Sequence, residues 1–387
     1  MKAIPYGRQN ISEKDIQAVV DVLASDWLTQ GPAIELFEST VADYCGAKYA
    51  VAVNSATSAL HIACLAAGLA PGKRLWTSPN TFVASANCGL YCGAEVDFVD
   101  IDPKTYNLST IEFSRKLQIA AASGKLPDVV VPVHFAGQSC RMPEIAACAA
   151  KYNVTVIEDA SHAIGGRYGN HKIGACAFSD MTIFSFHPVK IITTGEGGMV
   201  LTNKKELYDT LVRLRSHGIT RDPALMAGES DGPWYYQQIA LGFNYRMTDM
   251  QAILGVSQMS RLDEFVTRRH LLAKRYDRFL APLPLTLPYQ HPDCYSAYHL
   301  YVIRLNLELI IKSRRQVFEE LRQANIGVNL HYIPVHTHPY YQQLGFRAGD
   351  YPQAEQYYQE AISLPLYFGL TEEQQDYVID TLLRVLQ

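Results

Sequence analysis

Short, unbroken apolar runs alternate along the chain with stretches of helical spacing. Most of the runs "YAVAVN" (49–54), "RLWTSP" (74–79), "EVDFVDI" (95–101), "DVVVPVHF" (128–135), "VTVIED" (154–159) and "MTIFSF" (181–186) are apolar throughout and not alternating. That is the pattern of strands covered on both faces. It predicts an α/β fold on a mostly parallel sheet, with functional residues at the strands' carboxyl ends. "GGMVLT" (198–203) predicts a further strand. The connection reaching it from residue 186 is too short for a helix, so Lys190 is expected on a tight strand-to-strand crossing. Beyond "NYRMTDMQAILGVSQMSRLDEFVTRRHLLAKRYDRFL" (244–280), a helix pair or one long broken helix, the pattern changes to a strand at 298–305, a helix at 313–325 and a strand at 327–332. A large domain over 1–250 and a smaller α+β domain over 251–387 are expected. There is no internal repeat and no low-complexity linker.

The 387 residues, 48% of them apolar, suffice for a sizeable core. A net charge of −4 leaves no basic footprint for nucleic acid. The longest apolar runs, such as 51–70, are interrupted by polar residues and glycine, so no membrane partner is expected. "MKAIPYGRQNISEKD" (1–15) lacks the apolar stretch of a signal peptide, which predicts a cytoplasmic protein. The eight cysteines then read as free thiols, with no CxxC pair among them.

Three segments carry candidate chemistry. In "FSFHPVKIITTGEGGMV" (184–200), Lys190 sits between a turn and a run of small residues. A lysine that must lose its proton to attack a carbonyl gains from such confinement, whereas a loop lysine in solvent needs none. "VNSATSALHIAC" (53–64) runs from a strand into a helix through small hydroxyl residues, so backbone amides and the Thr57 and Ser58 hydroxyls converge at a helix N-terminus. That suits a phosphate, although a capped helix without a ligand has the same sequence. "VTVIEDASHAIGG" (154–166) ends a buried strand with Glu158 and Asp159. A carboxylate there caps the next turn or pairs with a protonated ring nitrogen. Together the lysine, the cradle and the aspartate are the three contacts that pyridoxal phosphate requires.

The whole chain resembles the DegT/DnrJ/EryC1/StrS sugar aminotransferases, of the aspartate-aminotransferase fold type. The resemblance is carried by "WLTQGPAIELFE", "NSATSALHIA", "SPNTFVASAN", "VIEDASHAIGG", "FSFHPVKIITTGEGGMV" and "GFNYRMTDMQAILG". It implies a pyridoxal 5'-phosphate enzyme with Lys190 as the Schiff-base lysine, Asp159 as partner of the ring nitrogen and Phe82 stacked on the ring. Thr57, Ser58 and Ser185 would be phosphate contacts. Asn244 would be one donated by the neighbouring subunit, which implies a homodimer with shared active sites. Many relatives have glutamine where this chain has His162, which can still pack near the ring. Tyr6, Leu28, Thr29, Gln30, His331 and Tyr332 match substrate-side segments. Within the family, "SFHPVKIITTGEGG" and "LHYIPVHTHPYY" are most similar to the branch that aminates C4 of a UDP-linked 4-keto-6-deoxy-N-acetylhexosamine with L-glutamate, in pseudaminic acid biosynthesis.

Two other readings exist. His331, His336 and His338 form a loose cluster, but His-x4-His-x-His with no carboxylate in the run is not a standard ligand spacing, so no metal is expected. A regulatory protein that kept the fold and lost catalysis is the second. Retention of both Lys190 and Asp159 speaks against it.

Overall fold

The computed structural model describes residues 3–386. A seven-stranded sheet lies at its centre, in the order Tyr49–Val53, Gly198–Thr202, Met181–Ser185, Thr155–Asp159, Val129–Val131, Arg74–Thr77 and Glu95–Phe98. The last five strands run parallel to one another. Gly198–Thr202 runs antiparallel to both of its neighbours. A parallel neighbour needs a crossover of a dozen or more residues, and the link from Ser185 to Gly198 holds no helix. Helices cover both faces, which is why Met181–Ser185 and Gly198–Thr202 are buried at every position.

A second, three-stranded antiparallel sheet joins Leu285–Thr286, Tyr301–Leu305 and Ala361–Leu364. The helices Arg314–Gln323 and Glu372–Leu386 contribute to its apolar core, which also takes in Ile4 from the start of the chain. The expected helix pair is present as Asp249–Met259 and Leu262–Leu280. Ala252 and Met259 of the first helix, with Leu262, Phe265 and Val266 of the second, lie in a core cluster beside the large sheet. Leu272, Ala273, Tyr276 and Leu280 belong to the small sheet's core.

One expected strand is absent. Residues 327–332 make only an isolated bridge, Asn329 to Ser363. Gly327 is pressed against the N-terminal segment, donating its N–H to the Ile4 carbonyl at 2.6 Å, and a Cβ there would lie 2.9 Å from that oxygen. The sheet edge is taken instead by Ala361–Leu364, which the sequence reading did not assign.

Candidate active site

Lys190 lies in the loop that joins the two antiparallel strands. The loop is braced from within: Thr193 Oγ donates to the Phe186 carbonyl at 2.9 Å and accepts the Gly195 N–H at 2.9 Å. Phe186 also exchanges backbone bonds with Gly197 and Thr194. Ile191 and Ile192 anchor it in the core. The small residues are therefore a packing requirement, since a Cβ on Gly197 would fall 2.2 Å from Thr194 Oγ. Burial of the Lys190 amine pushes its pKa down to about 8, against an opposing pull from Asp159.

Glu158 and Asp159 go separate ways because successive strand residues face opposite sides of a sheet. Glu158 turns to His134 Nε2 at 2.6 Å and to the hydroxyls of Ser179 and Thr182. Asp159 faces a cavity of about 890 Å³ that Lys190 also lines. Its Oδ1 accepts the Ser161 N–H at 3.1 Å and its Oδ2 accepts the Ser85 hydroxyl at 2.6 Å. The turn-capping role and the cavity-facing role are thus met by one side chain.

The cradle forms where Tyr49–Val53 passes into the helix Ala56–Ala66. Ser55 caps this helix, accepting the Ser58 N–H at 3.1 Å, and Ser58 Oγ donates to Asn54 Oδ1 at 2.7 Å. The Ala56 and Thr57 amides are left without a partner among the described residues, as expected of a first helical turn. Gly198 closes in from the adjacent strand, and a Cβ there would lie 2.5 Å from the Ala56 nitrogen and the Ser55 carbonyl.

Ten of the fourteen expected site residues line this cavity: Tyr6, Thr57, Ser58, Phe82, Asp159, His162, Ser185, Lys190, His331 and Tyr332. Phe82 is 57% exposed, leaving ring surface free to stack. Tyr332 approaches it with ring centroids 6.3 Å apart and shares a hydrogen bond with His162 Nε2 at 3.0 Å. His331 bonds Ser363 Oγ through Nδ1 at 2.8 Å, and Tyr6 rests on its ring. Burial, with Lys190 nearby, lowers the His331 pKa to about 3 and drives that of His162 well down.

Four expected residues do not line it. Leu28, Thr29 and Gln30 belong to a segment bridged to the start of the helix Asp249–Met259, the Leu28 carbonyl accepting the Asp249 N–H at 3.0 Å. Asn244 is exposed, its backbone paired with Ser216. Among the cavity residues that the sequence reading did not single out are Ser85 and His299. Ser85 offers no motif of its own. His299 stands alone before a strand, yet its ring lies 4.5 Å from that of His162 and its Nδ1 is buried without a partner among the described residues. The other histidines of the loose cluster separate, with His336 Nε2 bonded to Glu355 at 2.8 Å. Among the described residues no group of three or more His, Cys, Asp or Glu is placed to hold a metal ion.

An amine whose pKa is depressed by burial, a fixed carboxylate and a cradle of unpaired amides lining one cavity suit an aminotransferase site. The family model for the DegT/DnrJ/EryC1/StrS aminotransferase family matches residues 9–383, and the chain belongs to that family. It is similar to the spore coat polysaccharide biosynthesis protein SpsC of Bacillus subtilis, 40% identical over 97% of this chain and 95% of the relative. It is also similar to the UDP-4-amino-4,6-dideoxy-N-acetyl-beta-L-altrosamine transaminase of Campylobacter jejuni, 37% identical over 99% of this chain and 98% of that protein. Among solved structures, Helicobacter pylori PseC, an aminotransferase involved in the biosynthesis of pseudoaminic acid, matches with a TM-score of 0.90 and 30% identity, over 100% of this chain and 99% of that one. The cofactor of this aminotransferase family is pyridoxal phosphate, and solved relatives of the same fold are in PLP and PMP forms. The residues present fit it: the unpartnered Ala56 and Thr57 amides suit its phosphate, Asp159 its ring nitrogen and Lys190 its aldehyde carbon.

Proposed function

We propose that this aminotransferase moves the amino group of L-glutamate to C4 of a UDP-linked 4-keto-6-deoxy-N-acetylhexosamine, UDP-2-acetamido-2,6-dideoxy-β-L-arabino-hexos-4-ulose, in pseudaminic acid biosynthesis. The observation that carries the amination is the cavity that joins Lys190, Asp159 and the Ala56–Ser58 cradle to a wall of Tyr6, His331 and Tyr332. Likeness to the Campylobacter and Helicobacter enzymes supports the choice of sugar. The higher identity to SpsC favours a second reading, in which the acceptor is another UDP- or dTDP-linked 4-keto sugar.

Bound pyridoxal phosphate supplies the electron sink for the pair left when a proton leaves the amino donor's Cα. Lys190 Nζ, buried and poised near neutrality, takes that proton and returns it on the other side of the transfer, then does the reverse for the sugar. Asp159, held at both oxygens, keeps a proton on the pyridine nitrogen. The amides of Ala56 and Thr57, with the hydroxyls of Thr57, Ser58 and Ser185, hold the phosphate. Phe82 offers a face to the ring. Tyr6, His331 and Tyr332 position the sugar, with Leu28, Thr29 and Gln30 reaching a site from outside its own cavity.

A homodimer with shared sites follows from the same reading, with Asn244 serving the partner's phosphate. The exposed apolar residues Trp234, Tyr236 and Leu241 near it are consistent with a covered face. We also propose two units, a large one over 1–250 and a smaller one over 251–387, and a cytoplasmic setting, in keeping with eight free cysteines. No helix among the described residues is long and apolar enough to cross a membrane. The test is incubation with glutamate and a panel of UDP- and dTDP-4-keto-6-deoxy sugars, with products identified by mass and NMR. Amination of the UDP-N-acetyl substrate alone supports the assignment. Preference for another sugar moves it to the second reading, and no amination of any sugar overturns both.

A further inference from the structure

The backbone at His299 is fixed from two directions. On one side Arg269, buried in the helix Leu262–Leu280, donates from Nη1 to the carbonyls of Tyr298, His299 and Leu366 at 3.1, 3.2 and 2.9 Å. A buried cation is costly unless it is bonded in this way. On the other side Gly137 presses close: a Cβ there would lie 2.7 Å from the Tyr298 nitrogen and 2.9 Å from that of His299. The Gly137 carbonyl also accepts the Ala297 N–H at 2.9 Å, and Tyr298 takes a left-handed φ of 47° that non-glycine residues seldom adopt. These constraints set where the His299 side chain leaves the backbone, beside the cavity that it lines with Lys190.

The His299 ring stands 4.5 Å from that of His162, with its Nδ1 sealed. Nε2 is not sealed and makes no hydrogen bond among the described residues, so it is the nitrogen left to face the cavity. Neighbouring donors are already engaged: Tyr332 OH with His162 Nε2, the Ser85 hydroxyl with Asp159 and that of Ser58 with Asn54. No arginine of this chain lines the cavity, and its one lysine is Lys190, which moves the proton. An α-amino acid nonetheless brings a carboxylate on the very carbon whose proton Lys190 takes.

We propose that His299 binds the α-carboxylate of the amino donor, donating an N–H from Nε2, and so selects an α-amino acid for the first half of the transfer. The inference rests on the glutamate-dependent amination proposed above and names the group that recognises the donor. Burial, with His162 and Lys190 nearby, holds the His299 pKa well down, so the ring meets the donor uncharged. A neutral imidazole suits two unlike occupants in turn. It gives an N–H to the carboxylate and, as the other tautomer, a lone pair to a hydroxyl of the sugar that follows. A guanidinium in its place would leave a desolvated charge facing that hydroxyl.

The experiment follows the two half-reactions of the holoenzyme separately: conversion of the pyridoxal form by glutamate, and of the pyridoxamine form by the keto sugar. His299→Leu should raise the half-saturating glutamate concentration on the order of tenfold to a hundredfold, as for loss of one hydrogen bond to a charged group. The keto-sugar half-reaction should shift far less. His299→Gln, which keeps an N–H near the Nε2 position, should recover most of the glutamate affinity. L-2-Methylglutamate has no Cα proton to lose and reports binding alone by calorimetry; its affinity should fall in parallel. The α-amide of L-glutamate, without that charge, should distinguish wild type from His299→Leu much less. If His299→Leu does not load pyridoxal phosphate, His299→Phe keeps a ring there and takes its place. Wild-type affinity for glutamate and 2-methylglutamate in the variant, or equal losses in both half-reactions, would overturn this inference and leave the proposed function standing. Failure of glutamate to convert the wild-type enzyme would overturn both.

Discussion

Ser85 donates its hydroxyl hydrogen to Oδ2 of Asp159 across 2.6 Å, from a helix that precedes the aspartate by 74 positions. With Oδ1 held by the Ser161 N–H, the carboxylate has one orientation toward the cavity. Asp159→Asn should therefore lower the transamination rate on the order of a hundredfold or more, since an amide does not stabilise a protonated ring nitrogen. Ser85→Ala should act more weakly, costing about 1–3 kcal/mol by leaving a buried oxygen unpaired. Steady-state kinetics of both variants check this. Unchanged rates for Asp159→Asn would reduce the carboxylate to a turn cap.

Gly198 is expected to be intolerant of any side chain. A Cβ there would lie 2.5 Å from the Ser55–Ala56 peptide. Gly198→Ala pushes backbone against backbone, with a cost of about 1–3 kcal/mol in stability and a larger loss of cofactor affinity as the cradle is displaced. Equilibrium dialysis of pyridoxal phosphate, set against thermal unfolding of the apoprotein, separates the two effects. Wild-type affinity in the variant would remove the cradle from this position.

Acid should destabilise the apoprotein early. His331 is held near 3 in the folded chain, below its ordinary value of 6.5, and burial lowers His162 and His299 well down as well. A group depressed on folding binds its proton more readily when unfolded. Its contribution is therefore intact above pH 6.5 and is lost as pH falls toward the folded value. From pH 6.5 to 5, His331 alone should cost about 2 kcal/mol. Denaturant unfolding across that range should show the fall, and His331→Asn should flatten it by one proton's worth. An unaltered slope would mean that His331 titrates alike in both states.

Much of this site was legible from the residues themselves. Lys190, Asp159 and the 53–64 cradle each announce a constraint, and strands such as Met181–Ser185 and Gly198–Thr202 were readable because both of their faces are buried. The choice of Asp159 over Glu158 rests on which face of the strand meets the cavity, which the sequence leaves open until the sheet is assembled. Ser85 and His299 were not legible, because their roles come from packing against partners far along the chain. The strand expected at 327–332 failed for a related reason: its alternation is real, but the N-terminal segment at Ile4 occupies its flank and Ala361–Leu364 takes the sheet edge.

Asn244 tests the shared site. It is exposed and outside its own cavity, so Asn244→Ala should weaken cofactor binding only through the partner. A heterodimer of Asn244→Ala with Lys190→Ala has one site carrying both defects and one carrying neither. Differently tagged chains, co-expressed and purified as the mixed dimer, should recover up to about half of wild-type activity per dimer, a proportion set by the one intact site of two. A verified heterodimer with no recovery would place Asn244 outside the neighbouring site.

The most direct test of the account is borohydride reduction of the holoenzyme followed by peptide mapping. Lys190 is the lysine confined to the cavity with Asp159, and burial has brought its amine to about 8. The expected result is a single pyridoxyl-phosphate adduct on the peptide containing Lys190, lost when the enzyme is first incubated with glutamate and absent from Lys190→Ala. An adduct on another lysine, or a Lys190→Ala protein that still transaminates, would contradict it.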